Sequence, residues 1–464
     1  MRFFAAARLN PLAWLGTRYV CAGKYPAAKR VYRSLAFGLT ALLLLICAPL
    51  GAQFPTTNAA KPIQPPASPP GTSINFQGLL DHSPTDWPTV PFNTLRLWDS
   101  NTRWATLNPA QGTYDWKSLD QWLNAAEQHQ VELLFTVAMT PPWASSDPND
   151  QRCHYGPGLC DPPIGLNPDG TGSNQVWKDF ITAVAQHING RIKYWEIWNE
   201  PHMKFYWNGT PAQMVRMAQD ARDIILSVDP TAKLLNAGVQ SHYPPALRWW
   251  NKYAAAGGLK YADIIAMHGD VRTLPNECGV YPQAETYLLV MSNLHQVLRQ
   301  YGEDNKPIWD TESSWARTDL DCFHDEDLHA AFLARFHLMH LSAGVRRFYW
   351  RCWIGGNGGL YDKNTGITKA GVAYGVIHTW ITGRSLVNPC TATLTVWTCN
   401  FTGTNNYVAQ AIWDTSQSCN NGVCTTVDQA VDPQFTHYRT LDGDRLGIKN
   451  NTVPIGAKPI WLEN

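Results

Sequence analysis

The stretch Lys193-Tyr194-Trp195-Glu196-Ile197-Trp198-Asn199-Glu200-Pro201 reads as a β-strand that runs into a polar pair and is stopped by proline, which cannot donate to a strand ladder. Asn199 and Glu200 therefore fall at the strand's C-terminal edge, the face of a (β/α)8 barrel on which chemistry is done. Outward from this stretch, short apolar runs alternate with helical patterns, as βα units around a parallel sheet require. Strands are expected near Ser73–Gln77, Thr94–Trp98, Glu132–Ala138, Ile192–Trp198, Lys233–Val239, Asp263–His268, Pro307–Glu312 and Arg346–Trp353, eight in all. Between them apolar residues recur with period 3.6, as in Leu119, Trp122, Leu123 and Ala126, so each helix turns one stripe to the sheet. The connection Gly78–Phe92 is poor in helix signals, and the one from Thr140 to Gly172 is long enough to shape a site.

The predicted architecture is an α/β chain, a TIM barrel over residues 72–384 with a small C-terminal β-sandwich module over 385–464, where short strands rich in Thr, Asn, Gly and Cys take over. Its 464 residues are 44% hydrophobic and 16% charged, enough for a large core. Lys+Arg and Asp+Glu both number 37, so no net field favours nucleic acid or an anionic membrane, and a neutral partner is expected. The 21 Trp suit the CH-rich faces of sugars, though any one of them can equally be core.

Residues 1–52 read as an export signal or N-terminal anchor: Leu35–Ala52 is an uncharged, mostly apolar run preceded by Lys29, Arg30 and Arg33. Residues 53–71 read as a Pro-rich linker. Export to a secreted or periplasmic location would leave nine of the 11 Cys. Cys153/Cys160, Cys390/Cys399 and Cys419/Cys424 suit short-loop disulfides, and a fourth bridge is expected between Cys278 and Cys322 in neighbouring loops. Cys352 would then remain a buried free thiol in strand eight. No pair has a metal or redox spacing.

Glu196 shares strand parity with Glu200, but four residues at about 3.3 Å each put them about 13 Å apart. Carboxyl pairs that break glycosidic bonds stand about 5 to 9.5 Å apart, so Glu196 reads as a structural acid bonded to a neighbouring strand. Lys306-Pro307-Ile308-Trp309-Asp310-Thr311-Glu312-Ser313-Ser314-Trp315 supplies another acid at a strand end. Spacing favours Glu312, with Asp310 of the same parity one layer deeper left as an alternative.

Trp198-Asn199-Glu200-Pro201 at strand four and Trp309-Asp310-Thr311-Glu312 at strand seven resemble the signatures of clan A glycoside hydrolases, most of all family 39. The resemblance covers residues 72 to 384. It implies a retaining glycosidase acting on β-linked oligo- or polysaccharide, β-xyloside first, with Glu200 as general acid/base and Glu312 as nucleophile. It further implies substrate-binding roles for Arg96 in Leu95-Arg96-Leu97, Trp143 in Pro141-Pro142-Trp143, His268 in Met267-His268, and Trp353. Asn199 would bond the sugar 2-hydroxyl. No metal or organic cofactor is implied. The chain departs from the family pattern in two places: Gly269-Asp270 follows the strand-six His where an aromatic is common, and Ser313-Ser314 stands where a Gly is common.

Other readings stay open on the residues alone. Arg96 can be an ordinary ion-pair partner of Glu196, His268 a satisfied core histidine, and Trp143 and Trp353 caps on the barrel. A non-catalytic carbohydrate-binding protein on the same barrel would keep the cleft without turnover. A metal-dependent barrel hydrolase would need His and carboxylate clusters at several strand ends, and apart from His268 the sequence does not supply them.

Overall fold

A computed structural model describes residue 73 and residues 76–464 apart from 82, 242–243, 272–282, 316–324 and 356–357. The expected export signal, the Pro-rich linker, Cys278 and Cys322 lie outside the described residues. Eight parallel strands form the barrel: β1 (Gln77–Leu80), β2 (Thr94–Leu97), β3 (Glu132–Val137), β4 (Tyr194–Ile197), β5 in two pieces (Lys233–Leu235 and Val239–Gln240), β6 (Ile265–His268), β7 (Ile308–Ser313) and β8 (Arg347–Arg351). β1 begins four residues later than its sequence suggests. Glycine disfavours strands, which had put Gly78 outside; here it is required, because a Cβ would stand 2.5 Å from both Thr94 Oγ1 and a Tyr349 ring carbon.

Each strand pairs with the next, and β1 pairs with β8 through Leu80 and Arg351. The hoop is completed at β5, whose first piece pairs with β4 and whose second pairs with β6. Between the pieces the side-chain amide of Asn236 takes the place of a peptide unit: Nδ2 donates to the Ala266 carbonyl at 2.9 Å and Oδ1 accepts from the Ala266 N–H at 3.1 Å.

Helices 117–129, 175–188, 211–228, 244–255, 287–300, 326–342 and 369–381 follow β2 to β8 in turn. Helix starts are set locally; the 211–228 helix opens with Pro211 at its first position and a reciprocal Thr210/Gln213 capping box. No helix among the described residues is long and apolar enough to cross a membrane.

The helix 326–342 is buried on nearly every side and carries three histidines inside. Burial pushes His329 down to a pKa of about 3, and likewise His337 to about 3 although the Leu333 carbonyl opposes the shift. In the unfolded chain both take up protons near pH 6.5, so their contribution to stability is complete above that value and is lost as pH falls towards 3. We expect the urea midpoint to fall between pH 6.5 and 4, and His337→Phe to make that fall shallower. A midpoint independent of pH over this window would contradict it.

After the barrel, a sheet in the order Ser385–Leu386, Val396–Thr402, Val408–Asp414, Ile460–Glu463, His437–Arg439 and Arg445–Gly447 packs with the pair Thr426–Ala430 and Thr452–Gly456. Ile412, Phe435, Val453, Ile455, Ile460 and Leu462 form the sandwich interior. The opposite side, with Phe401, Trp413 and Trp461, joins the barrel core. Trp461 stacks on Trp380 at 5.6 Å, and Trp413 Nε1–H donates to Glu285 at 2.8 Å.

Disulfides join Cys153 to Cys160, Cys390 to Cys399 and Cys419 to Cys424. Cys352 is also disulfide-bonded, to a cysteine outside the described residues, which overturns the expectation of a free thiol there. The reason is position: β8 ends at Arg351, so Cys352 sits at the loop-bearing mouth and not within the strand.

Candidate active site

Arg96 lies at the centre of the barrel mouth, fully buried, and its planar guanidinium meets three acceptors from two other strands. Nε donates to Glu196 at 2.7 Å, Nη1 to Glu312 at 2.8 Å and Nη2 to the Asn199 side-chain oxygen at 2.7 Å. Burial opposes its charge, but Glu196 and Glu312 outweigh it and hold the guanidinium above its ordinary range. Glu196 also accepts from Thr136 and Thr311, each at 2.7 Å. It is thus a satisfied structural acid on a neighbouring strand's Arg, and Arg96 is at once its partner and a ligand of Glu312.

β4 stops at Ile197, and Trp198 and Glu200 both adopt left-handed backbone, with φ of 80° and 43°. Such positions cost about 1–3 kcal/mol each and persist where the surroundings dictate them. Here the Glu200 N–H bonds the Gly238 carbonyl at 2.9 Å, fastening the turn to the interruption in β5. Gly238 also makes room for His268, since a Cβ there would stand 2.3 Å from His268 Nε2. His268 Nδ1 lies 3.0 Å from Glu200 Oε1. Burial favours neutral His268, but the Glu200 hydrogen bond and the charges of Glu312 and Glu200 prevail and raise its pKa.

On β7 the pairing with β8 slips between Asp310 and Ser313, a bulge. A bulge re-aims side chains, and it corrects the parity inferred from sequence. Thr311 and Glu312 both bond barrel-interior groups, Glu196 and Arg96, while Asp310 faces the helix layer and meets His340 Nε2 at 2.8 Å. Glu312 has a second cation, Arg351 Nη1 at 3.4 Å. Burial works against the Arg351 charge, but Glu312 and Asp99 outweigh it and raise its pKa. The loops after β2, β3 and β4 add an aromatic wall: Tyr155 bonds Asp99 at 2.6 Å, lies under the Arg103 guanidinium at 3.7 Å and stacks on Tyr206.

Of the residues singled out from sequence, Arg96, Asn199, Glu200, His268 and Glu312 come together. Trp353 lies just past β8, buried and stacked on Tyr361 at 5.4 Å. Trp143 stands apart from the carboxylates' bonds; its Nε1–H donates to the Asn108 carbonyl at 2.9 Å and pins the turn after β3. Arg351 was missed, although it stands as a lone charge after the apolar run Phe348-Tyr349-Trp350. One group of potential metal ligands occurs among the described residues, Asp150, Cys153, Cys160 and Asp161, but its two sulfurs are bonded to each other.

The strand ends of the barrel thus gather two glutamates, a buried Arg and a His. A family model described as glycosyl hydrolase family 10 matches residues 75–212. The chain is 26% identical over 179 residues to endo-1,4-beta-xylanase 1 of Gibberella zeae, covering 36% of this chain and 42% of that protein. It is 23% identical over 203 residues to a beta-xylosidase of Geobacillus stearothermophilus, covering 40% of this chain and 38% of that one. The chain thus spans about two-fifths of the length of the curated relatives it matches. Among solved structures, a family 39 glycoside hydrolase from Bacteroides cellulosilyticus WH2 superposes with a TM-score of 0.62 at 16% identity, over 84% of this chain and 81% of that one. The resemblance is therefore to glycoside hydrolases of clan A, with family 39 enzymes among the structures it matches in fold.

Proposed function

We propose that the protein is a retaining glycoside hydrolase acting on β-linked saccharides, with β-xyloside preferred. The observation that carries the reading is that two glutamates from different strand ends each have a buried partner, Glu312 in Arg96 and Glu200 in His268, while the Glu312 charge also acts on His268. Glu312, oriented by charge-assisted bonds, attacks the anomeric carbon, and Glu200 gives its proton to the leaving oxygen. Water then cleaves the glycosyl-enzyme with Glu200 as base, so the anomeric configuration is kept. Asn199, held by Arg96, is placed to bond the sugar 2-hydroxyl, and Trp353 to meet a sugar face. Trp143 contributes by holding the rim. The three disulfides suit an exported protein.

A screen of aryl glycosides bearing xylose, glucose, mannose, galactose and arabinofuranose tests the substrate. β-Xyloside is expected to be cleaved best; cleavage of α-pyranosides alone would refute the linkage, and cleavage of none would favour a carbohydrate-binding protein. The rate should follow a bell in pH, since the proposed mechanism needs one ionised and one protonated carboxyl group. The optimum is expected on the acid side of neutrality. A rate still rising through pH 9 would contradict these roles.

A further inference from the structure

The two departures from the family pattern, Gly269-Asp270 after β6 and Ser313-Ser314 at the end of β7, face each other. Backbone pairing between these strands ends at Met267 and Asp310. Beyond it, among the described residues, side chains bridge the two strands. The Gly269 N–H donates to Ser313 Oγ at 2.8 Å and approaches Asp310 Oδ1 at 3.3 Å, and the Ser314 N–H donates to Asp270 Oδ1 at 3.1 Å. Ser313 Oγ lies 2.8 Å from both oxygens of Asp310.

Asp310 is anchored in turn from the helix layer. His340 Nδ1 lies 2.7 Å from the Phe336 carbonyl, which only accepts, so Nδ1 carries a hydrogen; Nε2 and Asp310 Oδ2, 2.8 Å apart, then hold one proton between them. The His340 ring is stacked between Tyr287 at 3.9 Å and Phe348 at 3.8 Å, which fixes its plane. Glycine at 269 follows from the same packing: a Cβ would stand 2.3 Å from the Tyr287 ring and 2.4 Å from Asp310 Oδ2.

We propose that Ser313, Asp310 and Asp270, anchored by His340, are positioning residues that clamp β6 to β7 and so set His268 against Glu200 while Glu312 is held on the adjoining strand. Gly269 directly follows His268 and Ser313 directly follows Glu312, so the Gly269–Ser313 bond links the two side chains through one residue on each strand. The proposal rests on the reading of Glu200 and Glu312 as acid/base and nucleophile. Among the described residues, His268 from β6 and His154 from the loop after β3 face Glu200; the charges of Glu312 and Arg96 act on His268, and those of Asp99, Arg103 and Arg351 on His154.

The test is Ser313→Ala in the full chain. On an aryl β-glycoside with a poor leaving group, which needs the acid, kcat/KM should fall about tenfold, since misplaced catalytic groups lose one to two orders of magnitude. On a dinitrophenyl glycoside, which does not need it, the loss should stay within about twofold. The alkaline limb of the pH–rate curve should move. Titration of 13C-labelled histidine, with His268→Asn assigning the signal, should show the raised His268 pKa fall back toward its ordinary value in Ser313→Ala. Equal losses on both substrates with an unmoved His268 titration would overturn the clamp. If the wild-type protein cleaves no glycoside, the glycosidase reading fails while the His268 titration still decides the clamp.

Discussion

Glu312→Ala should lower turnover on every glycoside by on the order of 10⁴-fold or more, because in the proposed mechanism Glu312 is the group that forms the covalent intermediate. Leaving-group quality cannot compensate, since the missing step is bond formation at the anomeric carbon. Glu200→Ala should behave differently: a loss of about 10²–10⁴-fold on poor leaving groups, and much less on dinitrophenyl substrates, for which departure needs no proton. With such substrates the glycosyl-enzyme accumulates, and azide should restore turnover and leave a glycosyl azide of retained configuration, the outcome of two inversions. Azide added to Glu312→Ala would give the inverted azide instead. Full activity in Glu312→Ala, or azide products of the opposite configurations, would reverse or remove the assignments.

Arg96→Met should carry the largest combined cost in stability and rate. It removes the guanidinium from three buried acceptors and leaves Glu196, fully enclosed, charged and short of its cation. Breaking a buried ion pair on one side costs about 3–5 kcal/mol, and Thr136 and Thr311 cannot replace the charge. Neutralising the stranded acid separates the two effects. Arg96→Met/Glu196→Gln should recover part of the lost denaturation midpoint but little of the lost rate, because Glu312 and Asn199 still lack their donor. Arg96→Lys should also fail to restore the rate, since an ammonium cannot present a fork to three fixed acceptors. Recovery of both stability and rate in the double variant would mean that Arg96 serves the core alone.

Two strand ends were legible because a charge closing an apolar run before proline or a loop has little packing value, as at Glu200 and Glu312, whereas Arg96, inside the run Leu95-Arg96-Leu97, was singled out only through the resemblance. The helices showed through their periodicity, and the missing helix signals after the first strand match the described chain, where none follows β1. Other features depend on partners far away in sequence. The bulge that turns Asp310 outward arises in pairing with β8, and no pattern within Ile308–Ser313 declares it. Gly78 counted against a strand until Tyr349 was seen to occupy its missing side chain. Cys352 read as a core thiol because the apolar run does not mark where pairing ends. The tail's short strands were readable from their composition, but its sharing of a core with the barrel through Trp380 and Trp461 was not.

A closed barrel has no edge strands, and at one point of this one the closure runs through an amide side chain. Where β5 is interrupted, Asn236 bonds both peptide groups of Ala266. Should it let go, peptide groups of β6 would stand unpaired beside an opening in the sheet, the kind of edge on which a second chain can add strands. Self-association on warming would then begin at this seam, beside the His268 and Glu200 pair, before the rest of the fold is lost.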